Sequence, residues 1–179
     1  HQGVLARLSA VPRAELADLV EAAREAPLPL IVALDQVQDA GNAGTLARTL
    51  YALGGAGLLL PKHNSVFLGA AAIKASAGAL PLLPVARVAN LSRALETLQA
   101  EGFKIYATGN EGASVFTAEL QLPAVLVLGN EEKGVRLGVE KQAGETLCIP
   151  LARDFDSLNV AQAGAIFTAA FSARGKTSS

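Results

Sequence analysis

Apolar residues recur along the chain with two alternating periods. Leu16, Leu19, Val20 and Ala23 share one face of a helix that can begin at Pro12 and ends by Pro27. Apolar runs of strand length follow at residues 30–34, 57–60, 103–108, 124–128 and 146–150, with a weaker one at 82–88 that Pro84 interrupts. Amphipathic stretches separate them, bounded by capping residues and glycines. Asn42 is placed to cap a helix over 43–53, which Gly54 and Gly55 stop. Ser65 is placed to cap a helix over 66–74, which leads into a small-residue stretch at 75–80. Asn90 caps a helix running to Glu101, just before Gly102. A short helix is expected over 137–143 and a final one over 158–173, with Ser157 as its cap. Strands separated by helices pair in parallel, so the pattern predicts an α/β fold: a mostly parallel sheet flanked by helices. Residues 26–29 read as a hinge into the core domain.

Composition narrows this picture. The 179 residues suit one domain, able to bury about 70% of the surface its unfolded chain exposes. Hydrophobic residues make up 51% and charged ones 17%, and with six Phe, two Tyr and no Trp the core must be aliphatic. No apolar run reaches the roughly 20 residues of a membrane span, and no signal peptide is visible. Cys148, alone in an apolar run, reads as a buried structural thiol, consistent with a cytoplasmic, reduced protein. His1 and His63 are isolated, so no metal site is expected. The net charge of −1 argues against a free-standing nucleic-acid binder. The start at His1 and the absence of methionine lead to the expectation that a further N-terminal region precedes residue 1, and residues 175–179 read as a frayed tail.

In such a sheet, ligands bind beyond the carboxyl ends of the strands. Three polar loops stand there. The first runs from Asp35 through Asn42 to a helix bearing Arg48, a pair able to hold an anionic or hydroxyl-bearing ligand or, equally, an ordinary cap and a solvated charge. The second is Gly129-Asn130-Glu131-Glu132-Lys133-Gly134, in which glycine allows close approach of a ligand to the backbone, although a plain turn uses the same residues. The third is Asp156-Ser157-Leu158-Asn159-Val160, where Asn159 is hard to explain as a cap alone. None carries the glycine pattern of a P-loop or dinucleotide fingerprint, which sets a nucleotide-dependent oxidoreductase aside.

In this order and spacing the blocks resemble the three motifs of the SpoU (TrmH) family of RNA ribose 2′-O-methyltransferases, within the SPOUT superfamily. The motifs are Asn42-Ala43-Gly44 with Arg48; Leu128 to Gly134; and Ile149-Pro150 followed by Ser157-Leu158-Asn159-Val160. Lys74 to Ala79 is similar to a further family segment, and the likeness covers residues 30–173. Ala40-Gly41 and Ala161 depart from the usual pattern without removing a proposed catalytic group. The resemblance implies a deep C-terminal trefoil knot, a homodimer and S-adenosylmethionine as cofactor. Ala161, Gly164, Ala165 and Ala169 give the last helix small-residue surfaces for the dimer contact, with Phe167 and Phe171 to anchor it, the alternative being burial of that helix within its own subunit. It implies cofactor contacts from Thr108, Gly109, Leu128, Gly129, Ile149 and Leu158. It places Arg48, Asn42, Glu131, Ser157 and Asn159 in the catalytic centre, with Glu131 free to pair with Arg48 of the same or the partner subunit. His1-Gln2-Gly3-Val4 is similar to the segment that joins an RNA-binding domain to the catalytic one in the rRNA branch of the family. Residues 1–29 then serve as linker and N-terminal helix, and 30–174 as the catalytic domain. The implied reaction is methylation of a ribose 2′-hydroxyl in rRNA, with tRNA as the alternative substrate. A non-catalytic RNA-binding protein that kept the knot is the alternative.

Overall fold

The computed structural model describes residues 11–175 apart from Asp154. His1-Gln2-Gly3-Val4 and residues 176–179 lie outside the described residues. Seven strands form one sheet: β1 (Arg13–Ala14), β2 (Leu28–Leu34), β3 (Gly55–Pro61), β4 (Val85–Val88), β5 (Lys104–Ser114), β6 (Ala124–Leu128) and β7 (Glu145–Cys148). Their order across it is β1-β4-β3-β2-β6-β5-β7, and every pair is parallel. The edge strands β1 and β7 are short, which limits pairing with other chains.

The helices are α1 (Leu16–Glu25), α2 (Ala40–Ala52), α3 (Ala70–Ala75), α4 (Leu91–Ala100), α5 (Leu137–Glu140) and α6 (Val160–Gly175). Side chains alternate across each strand and so feed two cores. Leu30, Val32, Leu34, Leu126 and Leu128 meet Leu46 and Leu50 of α2 and Phe167 and Phe171 of α6 on one face. Ile31, Ala33, Val125 and Val127 meet Leu19 of α1, Leu95 of α4 and Val139 of α5 on the other. Phe167 and Phe171 are thus buried in their own subunit's core rather than left to anchor a partner. Gly164 in turn lets α6 approach Leu46 and Leu128 closely.

The expected helices and strands form, with altered ends. Asp39, not Asn42, caps α2: its carboxylate accepts from Asn42 N at 2.6 Å. Gly69 rather than Ser65 precedes α3, which is shorter than the predicted helix, and a single 3-10 turn at Leu80–Leu82 leads into β4. Residues 26–27 alone separate α1 from β2, and α1 packs on the sheet. β5 outruns its predicted end. Thr108 and Ala113 both pair with Leu147 of β7, so residues 109–112 loop out between them. Gly112, at φ 142°, lies where a β-carbon would meet the Thr146 carbonyl. Cys148 is half-buried and its thiol donates to the Gly112 carbonyl at 3.3 Å, so it is less enclosed than its apolar run implied.

Tyr106 is fully buried and packs edge-on against Phe171, with centroids 5.4 Å apart. Its hydroxyl accepts from Gln121 N at 2.9 Å. Burial raises the pKa of this phenol, the Gln121 bond opposes the shift, and Glu145 adds to it. The folded chain therefore holds this proton more tightly than the unfolded chain. The resulting stability is fully present below the unfolded value of about 10 and is lost as pH rises through the folded value. Denaturant melts of the protein and of Tyr106→Phe should diverge above about pH 10, with the wild type losing more stability on alkalinisation. Parallel curves would show that Tyr106 does not titrate differently in the folded chain.

Candidate active site at the carboxyl ends of the central strands

The chain proceeds from β2 outward to β3 and β4, whereas β6, β5 and β7 lie on the other side of β2. The direction of winding therefore switches between β2 and β6, the place where parallel α/β sheets leave a crevice for ligands. The strands are in register from Leu30 opposite Ala124 to Leu34 opposite Leu128, so Asp35 and Gly129 leave the sheet side by side. Asp35 N donates to the Leu128 carbonyl at 2.8 Å.

Asp35 has no exposed surface, a placement that demands a partner for a carboxylate. Arg136 supplies it: its backbone N and its Nε each donate at 2.8 Å, and its Nη2 lies 2.7 Å from Oδ1. Asn130 adds a second tie, donating from Nδ2 to the Gln36 carbonyl at 3.2 Å. The loop after β6 is thereby fastened to the loop after β2. Sequence reasoning passed over this clamp, although an acid directly after a buried strand was its signal. Arg136→Ala leaves the Asp35 carboxylate buried with the backbone N–H alone, and should cost about 3 kcal/mol in urea denaturation. A loss below about 1 kcal/mol would mean that water reaches Asp35.

The clamped loop is a closed turn. Asn130 N donates to the Gly134 carbonyl at 3.0 Å and Gly134 N returns to the Asn130 carbonyl at 2.8 Å. Asn130 Oδ1 accepts from the backbone N of Glu132 and Lys133. At Gly129 a β-carbon would collide with the backbone of Gly134 and Val135, so only glycine fits.

This turn carries Glu131 to the start of α2. Asn42 Nδ2 donates to Glu131 Oε1 at 2.9 Å, Asn159 Nδ2 donates to the same oxygen at 3.0 Å, and Val160 N does so at 3.3 Å. Asn159 Nδ2 also reaches Asn42 Oδ1 at 3.0 Å. Meanwhile Asn159 Oδ1 accepts from Ala161 N and Gln162 N, so Asn159 and not Ser157 caps α6. Three residues from three separate segments thus form one polar cluster, with the second carboxylate oxygen of Glu131 unengaged among the described residues.

Beside the cluster opens a cavity of about 860 Å³. Thr108, Gly109, Leu128, Gly129, Ile149 and Leu158 all line it, together with Glu131 and Ser157. Asn130, Phe155 and Phe167 also line it and were not anticipated. The volume falls in the range of small-molecule sites, and the mix of strand-end backbone with apolar walls suits a planar heterocycle. Arg48 is exposed on α2 and outside the cavity lining, and no ion pair joins it to Glu131 within the chain. No group of three His, Cys, Asp or Glu among the described residues could hold a metal ion. No helix among them is long and apolar enough to cross a membrane.

Residues 29–169 match the profile of the SpoU rRNA Methylase family, and the chain belongs to that family. It is 40% identical over 167 residues to the 23S rRNA (guanosine-2′-O-)-methyltransferase RlmB of Xanthomonas campestris pv. campestris, covering 91% of this chain and 66% of that protein. It is 39% identical over 168 residues to an uncharacterized tRNA/rRNA methyltransferase of Synechocystis, covering 93% of this chain and 44% of that protein. The chain spans about half the length of several curated relatives it matches. Among solved structures, AviRb from Streptomyces viridochromogenes, a SpoU methyltransferase in complex with the cofactor AdoMet, superposes with a TM-score of 0.73 at 27% identity, over 80% of this chain and 57% of that one. A putative TrmH-family RNA methyltransferase from Porphyromonas gingivalis gives 0.75 at 33% identity, over 81% and 59%.

Proposed function

We propose that the protein transfers a methyl group from S-adenosylmethionine to a ribose 2′-hydroxyl of RNA, in the cytoplasm and with rRNA as the substrate. The observation that carries this reading is the Asn42–Glu131–Asn159 cluster at the lip of the cavity. Thr108, Gly109, Leu128, Gly129, Ile149 and Leu158 would hold the cofactor, through main-chain groups and apolar contact. S-adenosylmethionine supplies a methyl group activated by a sulfonium. The chain's own part is to place the hydroxyl and manage its proton. Three donors occupy Glu131 Oε1, which fixes the carboxylate and leaves Oε2 to accept a hydrogen bond from the incoming hydroxyl. Ser157 lines the same cavity and can orient that hydroxyl. A guanidinium stays protonated, so Arg48 serves by holding the neighbouring phosphate and the developing negative charge.

The reading includes a homodimer. Arg48 stands apart from the cluster within one chain, and a second subunit is the means of bringing an arginine to it. The outward side of α6 bears Ala165 and Ala169, small enough for close packing. It also includes the trefoil knot: residues 149–159 lead from the edge strand β7 back to α6, which packs on α2 and β2. The likeness of His1-Gln2-Gly3-Val4 to the segment that follows an RNA-binding domain in the rRNA branch of the family favours rRNA; RlmB acts on 23S rRNA by its name.

The test uses methyl-labelled cofactor and rRNA. A 2′-O-methyl ribose makes its phosphodiester resistant to alkali, so label should emerge in alkali-stable dinucleotides. Glu131→Gln keeps the side-chain shape and should lower transfer by about 100-fold. Label recovered on a free base, or transfer unchanged in that variant, would overturn the reading.

A further inference from the structure

The net charge of −1 hides a strong asymmetry. Between Asp39 and Glu96 the chain carries Arg48, Lys62, Lys74, Arg87 and Arg93 and not one acid, while all 16 Asp and Glu lie outside that segment. Lys62 and His63 are exposed at the end of β3, and Lys74 and Arg48 are exposed on α3 and α2. The two helices are in contact there: Gly44 sits against Ala72 and Ala75, and Arg48 lies one turn further along α2 on the same side.

Phe67 stands within this segment and is 84% exposed, more than any other large apolar side chain described. Its loop is firmly held. Arg87 of β4 donates to the Pro61 carbonyl at 3.4 Å, to the Ser65 hydroxyl at 3.2 Å and to the Val66 carbonyl at 2.6 Å. Val66 N donates to the Val37 carbonyl at 2.9 Å, which ties the loop to the one that leads through Asp39 to Asn42. The phenyl ring lies over Gly69, where a β-carbon would strike it. An aromatic ring is therefore displayed to solvent, on a pinned loop beside the proposed site, among cations.

We propose that Phe67 is a stacking platform for an unpaired RNA base next to the reacting ribose, with Lys62, Lys74 and Arg48 receiving the flanking phosphates. Single-stranded nucleotides offer both things this surface asks for, an apolar face and regularly spaced negative charge. A second copy of the chain fits it poorly, because a two-fold contact through this patch would oppose cations to cations. The inference rests on the reading that RNA is the substrate, and it assigns part of the RNA contact to the described residues themselves.

The probe is a fluorescein-labelled single-stranded RNA of about 12 nucleotides, with a blunt duplex of equal length as comparison, followed by anisotropy at about 50 mM and about 200 mM salt. Phe67→Ala should weaken single-strand binding by about 5- to 100-fold with the salt slope unchanged. Phe67→Trp should bind within about threefold of the parent, and because the chain has no tryptophan, its indole is a sole reporter that RNA should quench. Lys62→Ala and Lys74→Ala should each reduce the salt slope by about one phosphate contact. Calorimetric S-adenosylmethionine affinity and melting temperature should be unchanged in all four variants, which separates lost RNA contact from lost fold.

Wild-type binding that survives Phe67→Ala, equal weakening on the duplex, or conversion of a dimer to a monomer by Phe67→Ala in sedimentation would each overturn the inference. The last would place Phe67 in a subunit contact. If the wild type transfers methyl groups and Phe67→Ala binds RNA as it does, only this inference falls. If the wild type neither binds nor methylates RNA, the function proposed above falls with it.

Discussion

Arg48→Ala is expected to reduce methyl transfer by at least about 100- to 1,000-fold while calorimetric affinity for S-adenosylmethionine stays within about twofold. The two readouts separate because Arg48 lies outside the cavity lining and makes no hydrogen bond to the Asn42–Glu131–Asn159 cluster within its own chain. The proposed role is exercised on RNA, where the planar guanidinium fork grips a phosphate and meets the charge that develops on the ribose oxygen. Lysine keeps the charge but not the fork, so Arg48→Lys should recover only a minor part of the lost rate. Because Arg48 is exposed, neither variant should lower the melting temperature appreciably. Full activity in Arg48→Ala would sink the assignment of the site. A parallel loss of cofactor affinity would instead move Arg48 into the cofactor pocket.

The second large effect is expected at Gly129. A β-carbon at this position would overlap the peptide between Gly134 and Val135, and that peptide is held by paired bonds between Asn130 and Gly134 and by the Asp35–Arg136 clamp. A methyl group there cannot be absorbed by a rotamer change, because backbone and not side chain is in the way. The turn must open, at a cost of about 1–3 kcal/mol typical of overpacking, and the cavity wall moves with it. Gly129→Ala should therefore weaken S-adenosylmethionine binding by about 10- to 100-fold in calorimetry and lower the melting temperature. Gly138→Ala is the matched comparison: a β-carbon there meets nothing within 4 Å, and the variant should bind as the parent does. Equal affinities for the two variants would show that the Gly129 turn does not shape the pocket.

Much of the fold was legible because the core is aliphatic and its periods are clean. The runs at 30–34 and 124–128 could hardly be anything but buried strands, and they became neighbours at the centre of the sheet. The caps were legible in kind and misplaced in position. Asn42 looked like a cap because asparagine often is one, but its amide is taken by Glu131 and Asn159, residues remote in sequence, and Asp39 caps in its place. Ser157 lost its role to Asn159 for a related reason: the two ends of that amide do different work, one capping α6 and one joining the cluster. Local propensity cannot foresee a side chain claimed by a distant loop. The strand β1 is too short to leave a pattern, and the extension of β5 past residue 108 depends on pairing with β7 rather than on its own residues. The six pocket residues named from motif likeness were brought together around one cavity. Phe67 was missed because a lone apolar residue in a predicted helix reads as core, whereas α3 starts only at Ala70.

The strand order has a bearing on how the protein is made. β2 sits at the centre of the sheet, yet one of its two partners, β6, is about 90 residues further on. At roughly 5–20 residues per second, a ribosome takes on the order of ten seconds to supply it. Throughout that interval Leu30–Leu34 presents an open, wholly apolar hydrogen-bonding edge, paired on its other side with β3 alone. Nascent chains halted between Pro61 and Pro123 should therefore be the ones that trigger-type chaperones hold, and release should coincide with emergence of Ala124–Leu128.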